Sequence, residues 1–184
     1  MKELSLHILD IMMNSVEAGA HLVQLNLVED LDKDLYTIEI IDDGKGMSAE
    51  LVKNVLDPFV TTRTTRKVGL GLSLFQTAAQ LCGGDISIES EPGKGTQVKA
   101  WFIHSHIDRA PLGDITSALM AILLAENPID LVYRHIWGKK EFIFDSREVK
   151  AELGGEIPFS HPQVREWIME TLREGETDLK RETD

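Results

Sequence analysis

Three polar side chains near the start of the chain share one face of a predicted helix. Asp10, Asn14 and Glu17 are spaced by four and three residues, a spacing that brings side chains together along an α-helix. A neutral amide oxygen beside a carboxylate suits a magnesium ion that keeps several waters and bridges phosphates. The same spacing also fits a solvated helix surface, and these three residues alone leave both interpretations open.

A second candidate group, D-D-G-K-G-M at Asp42–Met47, follows an apolar strand. Ile38–Ile41 leads directly into Asp42, and a carboxylate at a strand end can accept the exocyclic amine of adenine while the ring packs against apolar walls. Gly44 and Gly46 let the backbone approach a base closely. The alternative is a plain Asp-Gly turn between a strand and a helix.

Two further glycine motifs follow, and the first of them suits the binding of phosphate. G-L-G-L at Gly69–Leu72 precedes a predicted helix, whose unblocked backbone amides attract phosphate. The cations Arg63, Arg66 and Lys67 stand just before it and can neutralise charge on a terminal phosphate; a solvated basic loop is the alternative. G-K-G-T at Gly93–Thr96 opens a predicted strand, and here hairpin chemistry is the alternative.

In this order, and together with D-P-F-V-T-T at Asp57–Thr62, these motifs resemble the GHKL (Bergerat-fold) ATPases. That superfamily includes gyrase, heat-shock chaperone, histidine kinase and mismatch-repair ATPase domains, and the resemblance covers residues 1–104. It implies a two-layer α/β sandwich with a mixed sheet and helices on one face. It also implies ATP and Mg²⁺ as cofactors.

The resemblance assigns roles to several of these residues. Asn14 is expected to bind the metal, Asp42 to read adenine, Met47 to line the pocket and Thr96 to help Asp42 hold the base, often through water. Asp10 occupies the position where relatives often carry a glutamate that polarises water, and its shorter arm leaves slow hydrolysis open.

The resemblance also implies a lid over the nucleotide, predicted over Pro58–Val68 and mobile without ligand. Thr61-Thr62-Arg63 is similar to the T-T-K or T-T-R of kinases, and the sequence does not choose among the lid cations. Leu70 and Leu72 belong to the glycine turn but suit the core better than a ligand contact. The expected contacts in the lid and its end are Thr62, Arg63, Arg66, Lys67, Gly69, Leu70, Gly71 and Leu72.

Apolar periodicity and turn residues predict alternating elements before and after residue 104. The first part is predicted to contain helices over residues 3–18, from Ser48 and at Gly71–Leu81, and strands at Leu22–Val28, Leu35–Ile41, Asp85–Ser90 and Gln97–Phe102. The second part, residues 105–184, is predicted as an α+β extension packed on the core or on a partner. Its predicted elements are a helix at Asp114–Glu126, strands at Leu131–Trp137 and Glu141–Phe144, a helix at Pro162–Arg173 and a frayed segment from Glu174.

Composition narrows the functional classes. The 184 residues are 42% hydrophobic and 27% charged, which is ordinary for a globular protein. A net charge of -12 argues against nucleic-acid or anionic-membrane partners. The single cysteine, Cys82, suits a reducing compartment, and Ile115–Ala125 is too short to span a bilayer. We therefore expect a soluble cytoplasmic protein without a targeting leader.

Three functional classes remain. The stretch from D-P-F-V-T-T-R to G-K-G-T is closest to histidine kinases, whereas N-S-V-E-A-G-A looks more like the mismatch-repair and chaperone branches. The chain begins too close to its first motif to carry a helical hairpin with a phosphoacceptor before it, and His7 is a poor acceptor. We therefore expect a stand-alone Mg-ATP-binding kinase or slow ATPase that acts on an unidentified partner protein or phosphoacceptor in signal transduction. An ATP-gated regulator with little turnover is the alternative, a non-catalytic interaction protein is the third class, and a homodimer is left open.

Overall fold

The computed structural model describes residues 2–57, 70–127 and 129–181. Within these ranges one six-stranded sheet has the strand order β3-β4-β2-β1-β5-β6, with β1 and β5 parallel and all other neighbours antiparallel. The strands are β1 (Leu22–Asp30), β2 (Leu35–Asp42), β3 (Asp85–Glu91), β4 (Gly95–Ile103), β5 (Asp130–Trp137) and β6 (Lys140–Asp145). The helices are α1 (Leu4–Glu17), α2 (Ala49–Asn54), α3 (Leu70–Leu81), α4 (Ile115–Leu123), α5 (Ser146–Glu152) and α6 (Pro162–Lys180).

One face of the sheet is covered by helices. Every second side chain of β1 is buried, including Val23, Leu25 and Leu27, and the residues between them are only partly buried. Leu4 and Ile8 of α1 belong to the same core and are fully buried. Alternate side chains of the strands and one face of α1 thus pack together in one apolar layer. The predicted two-layer α/β sandwich is confirmed. No helix in the described ranges has the length and apolar character needed to cross a membrane.

Residues beyond 105 extend the same sheet. β5 aligns with β1 through eight residue pairs, from Leu22–Asp130 to Glu29–Trp137. The segment before α4 also reaches the first turn of α1, where the amides of Leu4 and Ser5 donate to the carbonyls of Pro111 and Leu112 at 2.9 and 2.8 Å. Such amides have no partner inside their own helix, so this segment caps α1. The domain boundary after residue 104 stays a prediction.

The C-terminal helix is longer than its apolar pattern predicted. We expected a helix over Pro162–Arg173 and fraying from Glu174, but α6 continues to Lys180. Leu179 is buried, and Glu176 bonds to a buried histidine of β5. The predicted fraying was wrong because contacts with the sheet hold this charged segment in place.

A carboxylate is buried on the helix-covered face near the end of β1. Glu29 is 3% exposed. Its Oε1 lies 2.9 Å from Nε2 of His135 on β5, and its Oε2 lies 2.7 Å from Nε2 of His104 just after β4. The Nζ of Lys180 on α6 approaches Oε1 at 3.8 Å. Three segments distant in sequence therefore converge on the charge of Glu29.

His135 has a carboxylate at each ring nitrogen. It is fully buried, and its Nδ1 lies 2.8 Å from Oε1 of Glu176, which also accepts a hydrogen bond from the Tyr133 hydroxyl at 2.6 Å. An imidazole donates from both nitrogens only when it is protonated. Burial opposes that charge, but the hydrogen bonds to Glu176 and Glu29 outweigh burial and raise the pKa of His135 above 6.5.

The two kinds of group in this cluster lose their stabilising effect at opposite ends of the pH range. Burial acts to raise the pKa of Glu29, yet hydrogen bonds from His135 and His104 and the charge of Lys180 lower it below 4.5. Glu29 therefore stabilises the fold above its unfolded-state pKa and loses this effect as pH falls through the folded-state pKa. His135 stabilises the fold below its unfolded-state pKa and loses this effect as pH rises through its raised folded-state pKa.

We predict that Glu176→Gln destabilises the protein in a pH-dependent way. The variant should lose about 1–3 kcal/mol of unfolding free energy at about pH 6, because one anionic partner of protonated His135 is gone. The deficit should shrink as pH rises through the His135 pKa. Urea unfolding at several pH values measures both quantities. Glu174→Gln, at an exposed position of the same helix, is the matched control and should follow wild type throughout. A Glu176→Gln deficit that does not change with pH would contradict a charged His135.

Candidate functional site

The ends of β2 and β4 bring Asp42 and Thr96 together. The two residues stand directly opposite each other in the antiparallel register, where side chains on one face lie roughly 5 Å apart. Both continue the buried, helix-facing series of their strands, which includes Ile40 and Val98. The geometry suits the shared task that the resemblance implies for Asp42 and Thr96, and their roles in adenine binding stay predictions.

Two hydrogen bonds fix the orientation of the Asp42 carboxylate. The hydroxyl of Ser15 on α1 donates to Oδ2 at 2.7 Å, and the amide of Gly44 donates to Oδ1 at 2.9 Å. A carboxylate offers about four acceptor positions. These two bonds therefore hold the group in place and leave acceptor capacity for a further donor.

The segment after Asp42 closes onto the β3–β4 hairpin at two glycines. Gly46 has φ +66°, and a Cβ there would lie 2.0 Å from the Glu91 carbonyl oxygen. Gly95 has φ +100°, and a Cβ there would lie 1.9 Å from the Asp42 carbonyl oxygen. Both positions require glycine in conformation and in space. The two glycines therefore allow the segment after Asp42 to pack directly against the backbone of the hairpin.

Ser90 on β3 joins this segment to Thr96. Its hydroxyl accepts from the Met47 amide at 2.8 Å, donates to the Gly95 carbonyl at 2.9 Å, and lies 2.9 Å from the Thr96 hydroxyl. Either hydroxyl can be the donor in the Ser90–Thr96 contact. When Ser90 donates to Gly95, Thr96 donates to Ser90 and keeps its lone pairs, so that Thr96 can present an acceptor beside Asp42.

The phosphate side of the candidate site involves α1 and the start of α3. A Cβ built at Gly71 would lie 3.6 Å from the Asp10 Cβ, so Asp10 borders the first turn of α3. Desolvation raises the pKa of Asp10, although the residue remains exposed. Asn14 lies one turn further along α1, next to Ser15. The helix therefore connects the predicted phosphate side with the predicted adenine side.

The structure locates only part of the predicted phosphate set. Leu72 packs against the core, whereas Leu70, which the sequence analysis favoured for the core, is 45% exposed on the first turn of α3. In the described ranges no three or more His, Cys, Asp or Glu side chains form a group that could hold a metal. A magnesium ion held by Asn14 and by phosphates needs no such group. The remaining lid residues lie outside the described ranges: Thr62, Arg63, Arg66, Lys67 and Gly69.

Ser15 and Ser90 were not proposed as site residues from the sequence. Ser15 falls in the apolar series of α1 with Ile8, Ile11 and Met12, and it is 3% exposed. A buried hydroxyl needs an acceptor, and that rule was a usable signal. Ser90 gave none, because its role depends on how the hairpin folds back against Met47.

We predict that Gly95→Ala is much more damaging than Gly93→Ala. Both glycines have positive φ, at +100° and +77°, but a Cβ at Gly93 meets nothing within 4 Å. Gly93→Ala should therefore cost only about 1 kcal/mol of unfolding free energy. Gly95→Ala should cost roughly 2 kcal/mol more, because the methyl group collides with the Asp42 carbonyl. Thermal unfolding of the pair measures the difference, and equal losses would show that this contact is loose.

Comparison with known proteins finds similarity in both sequence and fold. A family model described as "Histidine kinase-, DNA gyrase B-, and HSP90-like ATPase" matches residues 2–105. Sporulation kinase D of Bacillus subtilis is 39% identical over 61 residues, which make up 33% of this chain and 12% of that protein. Sensor histidine kinase ZraS of Klebsiella oxytoca is 34% identical over 89 residues, 48% of this chain and 19% of that protein. The chain thus spans less than a fifth of the length of these relatives.

A solved structure extends the likeness in fold. The crystal structure of the N-terminal domain of a DNA repair protein aligns with a TM-score of 0.52 and 18% identity, covering 78% of this chain and 52% of that one. That coverage is more than residues 2–105 alone would give, so the shared fold includes residues beyond 105. The family model matches more than half of this chain. The chain therefore belongs to the family of histidine kinase-, DNA gyrase B- and HSP90-like ATPases.

Proposed function

We propose that this chain binds Mg-ATP and acts as a cytoplasmic, histidine-kinase-like signalling protein on a separate partner protein. The observation that carries the proposal is the Asp42 carboxylate, which Ser15 and Gly44 orient beside Thr96 while acceptor capacity remains. The kinases among the relatives support phosphate transfer as the class of reaction.

The adenine end of the proposed site follows from the acceptor arrangement. Asp42 accepts the exocyclic amine of the base, and the lone pairs of Thr96 hold a bridging water. Gly44 and Gly46 are proposed to let the backbone approach the base closely, and Met47 adds an apolar wall. Guanine carries a carbonyl oxygen in place of that amine. This oxygen would lie against the acceptor oxygens of Asp42 and Thr96 without forming a hydrogen bond, so guanine would bind more weakly.

The phosphate end rests on Asn14, Asp10 and the lid cations. Asn14 supplies an amide oxygen to the magnesium ion, which neutralises phosphate charge when it is bound. Asp10 borders Gly71 and is proposed to orient water in slow hydrolysis. Its raised pKa moves it towards the range of a general base. Arg63, Arg66 and Lys67 are proposed to face the terminal phosphate.

A phosphoacceptor on another protein fits the state of His7. This side chain is 4% exposed and stacks on Phe75 with ring centroids 5.3 Å apart. Burial, the larger cause, and the positive N-terminus lower its pKa to about 4. His7 is therefore neutral and shielded, and the acceptor is proposed to belong to the partner.

An ATP-gated conformational regulator with little turnover is the second candidate function. The side chain of Asp10 favours it, because an aspartate has one methylene less than a glutamate with which to reach an attacking water. In this case nucleotide binding, with little hydrolysis, would change the contacts that the protein makes with its partner.

We predict that Asp42→Asn weakens ATP binding about ten- to a hundredfold. The Gly44 amide needs an acceptor, so it holds the oxygen of asparagine at the Oδ1 position. The NH₂ group then lies on the Oδ2 side, where the exocyclic amine of adenine needs an acceptor. Titration calorimetry on folded protein measures the change. Asp32→Asn, in the exposed β1–β2 turn, removes the same charge and should bind like wild type. An unchanged affinity in Asp42→Asn would remove Asp42 from adenine recognition.

We also predict that Asn14→Ala and Asp10→Asn have separable effects. Asn14→Ala should remove the magnesium dependence of ATP affinity and abolish turnover. Asp10→Asn should spare binding and reduce only hydrolysis. Incubation with γ-labelled ATP, with and without captured partner, measures transfer and hydrolysis together. Equal hydrolysis by wild type and Asp10→Asn would exclude Asp10 from the chemistry, and binding with neither reaction would favour the regulator.

A further inference from the structure

The residue after Asp42 holds the start of β1. Oδ1 of Asp43 accepts hydrogen bonds from the backbone amides of His21 and Leu22 at 2.7 and 2.9 Å. The Asp43 amide donates in return to the Leu22 carbonyl at 3.4 Å. Although Asp43 is exposed, its side chain therefore forms a bracket between the end of β2 and the beginning of β1.

Backbone donors keep this bracket ionised. Desolvation acts to raise the pKa of Asp43, but the amides of Leu22 and His21 outweigh it and lower the pKa. Hydrogen bonds to a charged acceptor are stronger than those between neutral groups. The bracket therefore survives at an exposed position where a neutral contact would compete poorly with water.

His21 also forms a hydrogen bond with the first residue of β5. The Asp130 amide donates to the His21 carbonyl at 2.8 Å, and Asp130 pairs with Leu22 in the parallel register. One residue, His21, thus contacts the later strand through its carbonyl and Asp43 through its amide. Asp130 of β5 is thus linked to Asp42 in three steps. These are its hydrogen bond to His21, the hydrogen bond from His21 to Asp43, and the peptide bond between Asp42 and Asp43.

The other anchors of the segment come from elsewhere. The Lys45 amide donates to the Ala18 carbonyl at the end of α1 at 3.0 Å, and the Gly93 amide donates to the Lys45 carbonyl at 2.8 Å. Ser90 holds Met47 from the hairpin. Among these anchors, Asp43 is the one that leads to residues beyond 105.

We propose that Asp43 is a positioning residue through which the docked strand β5 sets the backbone position of Asp42 and hence the preference for adenine. This inference rests on the proposed function of Asp42 in reading the base. It makes the C-terminal extension a regulator of the nucleotide site. Because coupling between sites is reciprocal, nucleotide binding in turn steadies the first residues of β1 and β5.

The test compares two nucleotides in four proteins. ATP and GTP affinities are measured by titration for wild type, Asp43→Ala, Asp43→Asn and Asp32→Ala. Asp43→Ala removes the acceptor of both amides, so ATP binding should weaken about tenfold while GTP binding changes less than about twofold. Asp43→Asn keeps an oxygen that can accept both amides but lacks the charge, so its ATP preference should lie between those of wild type and Asp43→Ala. Asp32→Ala lies beyond the opposite end of β1 and should match wild type.

The pattern of losses separates positioning from simple damage to the fold. A general loss of structure weakens both nucleotides alike, so an equal loss of ATP and GTP affinity in Asp43→Ala overturns the inference. Unchanged ATP affinity in that variant overturns it as well. If wild type itself fails to bind ATP, the proposed function fails, and the inference fails with it.

Hydrogen exchange in the wild type gives a second measurement that needs no variant to fold. ATP should slow exchange at the amides of His21, Leu22 and Asp130 at least several-fold, because the bracket and the β5 contact open less often. GTP, which does not engage Asp42 in the same way, should slow them less. Equal exchange with and without ATP at these three amides overturns the coupling.

Discussion

The burial of Glu29 constrains the arrangement of the whole molecule. A carboxylate in an apolar layer is costly unless it is paired and hydrogen-bonded. Glu29 lies on the central strand, and its partners come from the segment after β4, from β5 and from α6. Those three segments can satisfy the charge only when the sheet is fully assembled and α6 has packed. One polar residue therefore makes the later half of the chain part of the same cooperative structure as the first half.

A carboxylate also ends a buried series at the opposite end of the sheet, but its surroundings differ. On β1 the buried series Val23, Leu25 and Leu27 ends in Glu29, and on β2 the buried series that includes Ile38 and Ile40 ends in Asp42. Because β1 and β2 are antiparallel, the two carboxylates lie at opposite ends of the covered face. Glu29 is enclosed by Lys180, His104 and His135, whereas within the described ranges Asp42 receives two fixed donors and retains acceptor capacity. The partners around each carboxylate, and not its position in the strand, therefore distinguish Glu29 from Asp42.

Most of the elements could be predicted because their apolar periodicity was strong. The helix at residues 3–18 and the strands around Ile38 and Val98 follow from patterns that few other structures satisfy. The second half of α6 could not be predicted, since Glu174–Lys180 is almost entirely polar and is held by partners far away in sequence. The short helix α5 is built on the Asp145 cap and has little periodicity to detect.

In the candidate site, too, residues of contiguous motifs could be predicted, whereas residues that act through contacts with distant segments could not. Asp42, Gly46 and Thr96 could be proposed because their motifs are contiguous. Ser90 and Asp43 act by contacting backbone groups of other elements, and no local pattern specifies such a contact. The lid residues remain predictions, since they fall outside the described ranges.

The parallel pairing of β1 with β5 has a consequence for how the protein folds as it is made. Leu22 and Asp130 are neighbours in the sheet but more than a hundred residues apart in the chain, and such non-local contacts slow folding. During synthesis β1 can pair with β2 early, but its other edge stays open until β5 has left the ribosome. An open edge on a central strand invites pairing with foreign strands. The interval between making β1 and making β5 is therefore the period in which the nascent chain is most exposed to aggregation.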